Sequence, residues 1–316
     1  MRGRIAAAAV AVAVLAVLPA ALSWLGQIYL FRLAELSLIF VLLACGLNLA
    51  TGTAGLVSLG HGAFYAVGAY TAALIALRTG AGLEASVPAA ALAAGLIGAA
   101  VAVPATRLVR IFFTVASLSV GAIIGIVILN WDGLTRGPMG LRGVPATLFG
   151  ADLSAPPATY YVIAVVVLGC VWAIQRLTLS DWGATLRAVR EDEPGAAALG
   201  IDVRRAKVAA FALSTAFAGV AGALLAHSTG YISPDMFGLD QSILILTMVV
   251  VGGLGSVPGA ALGAVLLTLL PELARGAGHF RMVLVGVVLF GTILLRPGGA
   301  IAEAATLRFF RPRTPP

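Results

Sequence analysis

Long apolar stretches separated by short polar connections dominate the chain, which is the pattern of a protein that crosses a membrane repeatedly. A transmembrane helix needs roughly 20 apolar residues, because each residue advances it by about 1.5 Å across a hydrocarbon layer about 30 Å thick. Stretches that fit one membrane helix each lie at 5–25, 86–106, 111–130, 159–179, 207–229 and 281–295. The pattern therefore predicts an all-α polytopic membrane protein.

Two further apolar regions, 36–77 and 241–271, are too long for one helix each. TGTAG at 51–55 interrupts the first region and GGLGSVPG at 252–259 interrupts the second. Clustered Gly and Pro break helices, so each region is predicted to form two segments. The four predicted segments are 36–51, 55–77, 241–253 and 257–271. The chain then has about ten membrane segments, including broken or re-entrant helices.

The residues after the two breaks resemble each other, since SLGHGAFYAVGAYTAALI (58–75) and GSVPGAALGAVLLTLL (255–270) share a small-residue pattern. An internal repeat with broken helices, as in many transporters, would produce this pattern. A shared bias toward Ala and Gly explains it equally well. Both interpretations stay open.

The N-terminal segment also has two interpretations. Arg2, Arg4, an apolar stretch and small residues near 20–23 resemble a secretory signal peptide. The apolar stretch exceeds the roughly 7–15 residues of a cleaved signal, which favours an uncleaved anchor. We divide the chain into a membrane domain, 1–296, and a basic tail, 297–316.

Composition and charge exclude a soluble protein and orient the chain. Hydrophobic residues make up 60% and charged residues 10%, against about 45–50% and 25% in soluble domains. The net charge is +7. If the basic tail is cytoplasmic, most of the basic residues fall on the cytoplasmic side, together with the N-terminus and 180–206. Both termini are therefore predicted to be cytoplasmic.

No catalytic or metal-binding constellation is evident in the sequence. His61, His227 and His279 lack ligand-like spacing, and both cysteines, Cys45 and Cys170, lie within apolar runs. Neither GxxxxGK[ST] nor a GxGxxG loop after a strand occurs. We therefore expect no catalytic residue, no metal and no bound cofactor, and any ATP-driven role requires a partner.

The loop 180–206 is the longest polar insertion on the predicted inner face. Helix-forming residues at 184–190, Pro194 at a first turn and Gly200 as a stop predict one or two short helices. One interpretation is a solvated loop whose arginines set the topology. The other is an Ala-rich helix that fits a groove on a soluble partner.

Polar residues gather at the first break, namely Asn48, Thr51, Ser58 and His61. Polar groups at membrane depth usually face a water-filled path or hydrogen-bond to neighbouring helices. We favour a path or gate role for Asn48 and His61 and a structural role for Ser58. On the predicted outer face, the loop 131–158 is either a connector or a docking surface.

Four collinear segments resemble branched-chain amino acid ABC transporter permeases of the LivM type. They are REDEPGAAALGIDVRRAKVAAFALSTAFAGVAGALLAH (190–227), GLNLATGTAGLVSLGHGAFYAVGAYTAALIA (46–76), GPMGLRGVP (137–145) and SILILTMVVVGGLGSVPGAALGAVLL (242–267). The resemblance spans roughly 30–297. It implies a permease domain in a bacterial inner membrane that works by alternating access and provides half of a translocation pathway for branched-chain or hydrophobic amino acids.

The resemblance also implies partners and assigns residues to them. The partners are a second homologous permease, two nucleotide-binding ATPases that carry ATP and Mg²⁺, and an extracytoplasmic solute-binding protein. Residues 184–200 become the ATPase-coupling element, with candidates Arg187, Arg190, Glu191, Asp192, Glu193, Ala197 and Gly200. For docking of the binding protein, the outer charges Arg136, Arg142 and Asp235 are the candidates, since such docking uses complementary charge.

The sequence departs from the family pattern in the outer-loop motif, where Arg136 stands at a position commonly occupied by Gly. This departure keeps urea or a short amide open as an alternative substrate of the same importer class. A self-sufficient secondary transporter is disfavoured because membrane-centre carboxylates for ion coupling are nearly absent, and Glu35 lies at a predicted segment end.

Overall fold

The computed structural model describes residues 28–106, 110–153 and 155–273, together with 286–287, 290–291, 294, 299–301, 303 and 306. The predicted segment 5–25 lies outside the described residues, as do most of 281–295 and most of the tail. Within the described residues the regular structure is almost entirely helical.

Each predicted segment between residues 36 and 271 overlaps one long helix. The helices are α1 (Ile28–Asn48), α2 (His61–Thr79), α3 (Leu83–Ala105), α4 (Arg110–Asn130), the single turn α5 (Asp132–Thr135), α6 (Pro156–Leu179), α7 (Asp181–Glu191), α8 (Glu193–Ala198), α9 (Val203–Thr229), α10 (Leu239–Gly252) and α11 (Val257–Leu273). A π-helical turn, Leu49–Thr53, continues α1.

Among the described residues, 6 helices are long and apolar enough to cross a membrane. They are α1 with its π turn, α3, α4, α6, α9 and α10 with the 3₁₀ turn Pro234–Phe237 before it. The chain is therefore a multi-pass membrane protein. The count of about ten segments stays a prediction.

Helix α1 begins well before the predicted start at residue 36, so Glu35 lies inside the helix and not at its end. Arg32 and Glu35 interrupt the apolar run in the sequence, but in the fold they pair with each other at 3.1 Å. Ser228, at the end of α9, donates to the same Glu35 oxygen at 2.5 Å. These partners satisfy Oε2 of the buried carboxylate, while Oε1 has no hydrogen-bond partner among the described residues. The polar residues therefore lie within the helix and do not end it.

The core is organised around α9, which packs along α1, α2 and α3. A Cβ on Gly68 of α2 would collide with the backbone of Gly219 of α9, so glycine permits this close crossing. Nearby, the ring of Phe211 lies edge-on to Phe64 at 5.6 Å and to Phe113 of α4 at 5.2 Å. These contacts join α2, α4 and α9.

Short strands close one end of the bundle. β1 (Leu141–Arg142) pairs with β4 (Tyr231–Ile232), which directly follows α9, and β2 (Thr147–Leu148) pairs with β3 (Ala151–Asp152). We call this the loop end. The opposite end, where α7 and α8 precede α9, is the coupling end. At about 1.5 Å per residue, the 27 residues of α9 separate the two ends by about 40 Å.

Candidate functional site

The two helix breaks predicted from the sequence contact each other. In the first break Gly55 has a φ of 73°, and in the second break Gly253 and Gly255 have φ angles of 125° and 78°. These values lie in the region that favours glycine. A Cβ on Gly52 would lie 2.9 Å from Cα of Gly255, so the absence of a side chain allows the breaks to touch.

Asn48 and Thr51 are committed to hydrogen bonds at this contact. Asn48 is fully buried, and its Oδ1 accepts the N–H of Gly255 at 2.9 Å. Its Nδ2 has no hydrogen-bond partner within the described residues. Thr51 Oγ1 donates to the carbonyl of Leu56 at 3.1 Å, across the first break. In this conformation both residues therefore hold the breaks in shape.

Ser58 and His61 lie at the far side of the first break, and both are fully buried. Ser58 Oγ accepts the N–H of Gly60 at 3.4 Å, which is a local structural contact. His61 begins α2, and neither of its ring nitrogens has a hydrogen-bond partner in the described part of the chain. The N–H of Gly62 is satisfied by Ser242 of α10 at 2.9 Å.

An apolar cavity of about 200 Å³ lies beside α2, α4 and the start of α10, and none of the four predicted path residues lines it. Its walls include Ala63, Gly121, Gly125, Phe237 and Ser242. Gly121 and Gly125 form a GxxxG pattern, which usually indicates helix packing. Gly125, however, meets nothing within 4 Å. Sequence reasoning predicts packing for both glycines, and this holds for Gly121, which contacts Gly60, whereas Gly125 leaves space that belongs to the cavity.

At the coupling end, three of the predicted coupling residues face the protein and not the surroundings. Arg187 Nη1 donates to the carbonyl of Thr178 at 2.8 Å. Arg190 Nη1 donates to the carbonyl of Gly52 in the first break. Glu193 accepts from the buried Lys207 of α9 at 2.5 Å. The coupling element is therefore bonded to the bundle on its inner side.

The other predicted coupling residues form an exposed surface. They are Glu191, Asp192, Ala197 and Gly200. Leu199, which sequence reasoning missed, is 82% exposed at the end of α8. A large apolar residue before a terminating glycine in a charged loop was its sequence signal. Leu199 therefore becomes a further candidate for the predicted coupling surface.

The three predicted docking residues lie in the turns and strands that follow α4 and α9. Arg142 is exposed, and its guanidinium lies 5.2 Å from the centroid of the Tyr231 ring, its strand partner. Arg136 is exposed and has a φ of 59°, and Asp235 lies in the 3₁₀ turn before α10. Asp235 lies two residues before Phe237, whose carbonyl would be 3.1 Å from a Cβ on Gly62, so the turn that carries Asp235 also contacts the start of α2.

A buried histidine, His227, anchors the loop 131–158 to the helix bundle. His227 Nδ1 lies 2.6 Å from the carbonyl of Pro145, and its Nε2 lies 2.7 Å from Ser86 Oγ. A carbonyl can only accept, so Nδ1 carries the proton and Nε2 accepts from the serine hydroxyl. The loop is therefore an ordered cap joined to α3 and α9.

Comparison with known proteins identifies the family. A family model described as the permease component of the branched-chain amino acid transport system matches residues 29–295. The chain belongs to this family. It is 34% identical over 293 residues to the high-affinity branched-chain amino acid transport system permease protein LivM of Escherichia coli, covering 85% of this chain and 69% of the relative.

Two other relatives support the same family. The permease protein BraD of Pseudomonas aeruginosa is 30% identical, with 84% of this chain and 92% of the relative covered. The permease protein LivH of Salmonella typhimurium is 26% identical, with 87% and 94% covered. No solved structure matches. Members of this family are transport permeases, so the chain is a transport component and not itself an enzyme.

Proposed function

We propose that this chain is one of two permease subunits of an ATP-driven importer of branched-chain amino acids and provides half of the translocation pathway by alternating access. The family match and the printed names of the LivM, LivH and BraD relatives support this proposal. The protein would lie in a bacterial inner membrane with the coupling end and both termini in the cytoplasm.

One structural observation carries the mechanism. The segment formed by α7 and α8 is exposed on one side and bonded to the bundle on the other, where α7 contacts the first helix break. A partner ATPase that binds the exposed side through Leu199, Glu191 and Asp192 can therefore shift the break directly. ATP and Mg²⁺ act on two such ATPase subunits and not on this chain.

The substrate path is proposed to run along the apolar cavity and the first break. The cavity presents one hydroxyl, Ser242, among apolar walls, which suits an aliphatic side chain better than urea. Asn48 Nδ2 and both nitrogens of His61 are buried without partners among the described residues. Unpaired buried polar groups cost free energy, so entry of water or substrate during transport would stabilise an open break.

Partners at the loop end complete the proposal. Arg136, Arg142 and Asp235 present charge of both signs on an ordered cap, which suits salt-dependent docking of a solute-binding protein. A second, homologous permease would cover those exposed apolar helix faces that are not in contact with lipid.

Affinity purification of the tagged chain from its own membranes in mild detergent, followed by mass spectrometry, tests this assembly. Recovery of ATPase subunits and a second permease is expected. The associated binding protein should bind leucine, isoleucine or valine. Recovery of the chain without any ATPase would overturn the importer proposal, and a binding protein that takes urea but not leucine would overturn the substrate.

A further inference from the structure

Arg190 lies where α7 meets the first helix break. One guanidinium nitrogen, Nη1, donates to the carbonyl of Gly52, and Nη2 forms a 2.8 Å ion pair with Oε2 of Glu303. The aliphatic part of the Arg190 side chain packs on the same break, since a Cβ on Gly55 would lie 2.8 Å from Cγ of Arg190. The side chain is only 23% exposed, so most of it is removed from any partner that binds α7.

Glu303 connects Arg190 to the second break. Its carboxylate lies against Gly255, where an added Cβ would be 2.6 Å from Oε2 of Glu303. The segment around Glu303 is fixed to the same break, because the N–H of Ile301 donates to the last residue of α10 at 3.0 Å. Ser256 Oγ also lies 2.7 Å from Thr306 Oγ1.

A third contact closes the arrangement, because Asn48 before the first break accepts the N–H of Gly255 in the second at 2.9 Å. Arg190 therefore contacts the first break directly and the second through Glu303, while the two breaks contact each other. A guanidinium presents several donors in a rigid fork and can hold both acceptors at once, which a lysine ammonium on a flexible stem does less well.

We infer that Arg190 and Glu303 form a clamp that makes both helix breaks move together when α7 moves. They are positioning residues for transport, and Arg190 is not a contact to the ATPase. The inference rests on the proposed function, because α7 moves only if an ATPase bears on it. Glu191 lies 3.8 Å from Arg190 but its side chain is 75% exposed, so solvent screens that pair.

The test uses the complete importer complex in proteoliposomes, with leucine uptake and ATP hydrolysis both measured per assembled complex. Arg190→Gln and Glu303→Gln should each lower uptake roughly tenfold or more, since each removes a partly buried charge-assisted bond. ATP hydrolysis should stay within about twofold of wild type, because the ATPase surface is intact. A merely structural role would lower both activities and the yield of complex.

The double variant and a surface control sharpen the result. Arg190→Gln with Glu303→Gln should lose no more uptake than the worse single variant, because the two residues act as one unit. Arg205→Gln should match wild type, because the Arg205 side chain is 90% exposed and, within the described part of the chain, its ion pair is with Asp202. If the complex that contains Arg190→Gln does not assemble, leucine uptake by the Glu303→Gln complex tests the inference by itself. In that variant Arg190 keeps its hydrogen bond to Gly52.

Uptake within about twofold of wild type in the single variants, or losses that multiply in the double variant, would overturn the clamp while leaving the importer proposal intact. A wild-type complex that fails to couple ATP hydrolysis to leucine uptake would instead overturn the proposed function, and the clamp with it.

Discussion

Replacing Gly52 with alanine tests whether close contact between the two breaks holds the protein together. The new Cβ would lie 2.9 Å from Cα of Gly255 and closer still to the Gly255 nitrogen and to Oδ1 of Asn48. Carbon atoms pack at about 3.5–4.0 Å, so the breaks must separate by more than half an ångström or the Asn48–Gly255 hydrogen bond must break.

The expected cost follows from these contacts. Forcing a methyl group into a packed interior costs about 1–3 kcal/mol, and a lost hydrogen bond adds about 1 kcal/mol. Gly52→Ala should therefore lower the free energy of unfolding by about 2–4 kcal/mol. Gly169→Ala in α6 is the matched control, because nothing lies within 4 Å of its added Cβ. It should raise helix stability by about 0.5–1 kcal/mol.

The assay is denaturation of the purified proteins in detergent micelles by added sodium dodecyl sulfate, followed by circular dichroism. ATP-driven leucine uptake of the same variants in the importer complex gives the functional readout, and Gly52→Ala should reduce it. If Gly52→Ala is as stable as Gly169→Ala, close contact between the two breaks does not stabilise the protein.

Three further changes test other parts of the structure. Arg136→Gly should stabilise the protein by about 1 kcal/mol in the same titration, because φ is 59° there and this region costs a non-glycine residue about 1–2 kcal/mol; a loss of stability would contradict it. His227→Ala should destabilise by about 1–3 kcal/mol, since the buried hydroxyl of Ser86 and the carbonyl of Pro145 lose their partner; an unchanged titration midpoint would refute the anchoring role. Leu199→Asp should reduce co-purification of the ATPases, whereas Leu273→Asp, equally exposed at 82% but at the loop end, should not; equal recovery from both variants would exclude Leu199 from the ATPase surface.

The helix breaks were predictable because they depend on local residues. Gly55, Gly253 and Gly255 adopt positive φ angles inside TGTAG and GGLGSVPG, and these clusters are visible in one sequence. The start of α1 was not predictable in the same way. Glu35 looks like the end of an apolar run until Ser228, which is 193 residues away in the chain, supplies its hydrogen bond.

In the candidate site, too, local sequence features were predictable and long-range contacts were not. Asn48 is a recognisable polar residue in an apolar region, but its partner Gly255 is 207 residues away. The charges of 187–193 predict a solvated surface, and only the fold turns Arg190 toward Glu303, which is 113 residues away. Sequence pattern therefore located the elements, while long-range pairing decided which side chains face the protein and which face a partner.

As proposed, this chain is a permease that moves branched-chain amino acids only when partner ATPases hydrolyse ATP. The most direct test is uptake of radiolabelled leucine into proteoliposomes that contain the co-purified complex, with the binding protein added on the side of the loop end. We expect uptake that requires ATP on the side of the coupling end and is unaffected by ion gradients. Uptake by this chain alone, driven by an ion gradient without ATP, would contradict it.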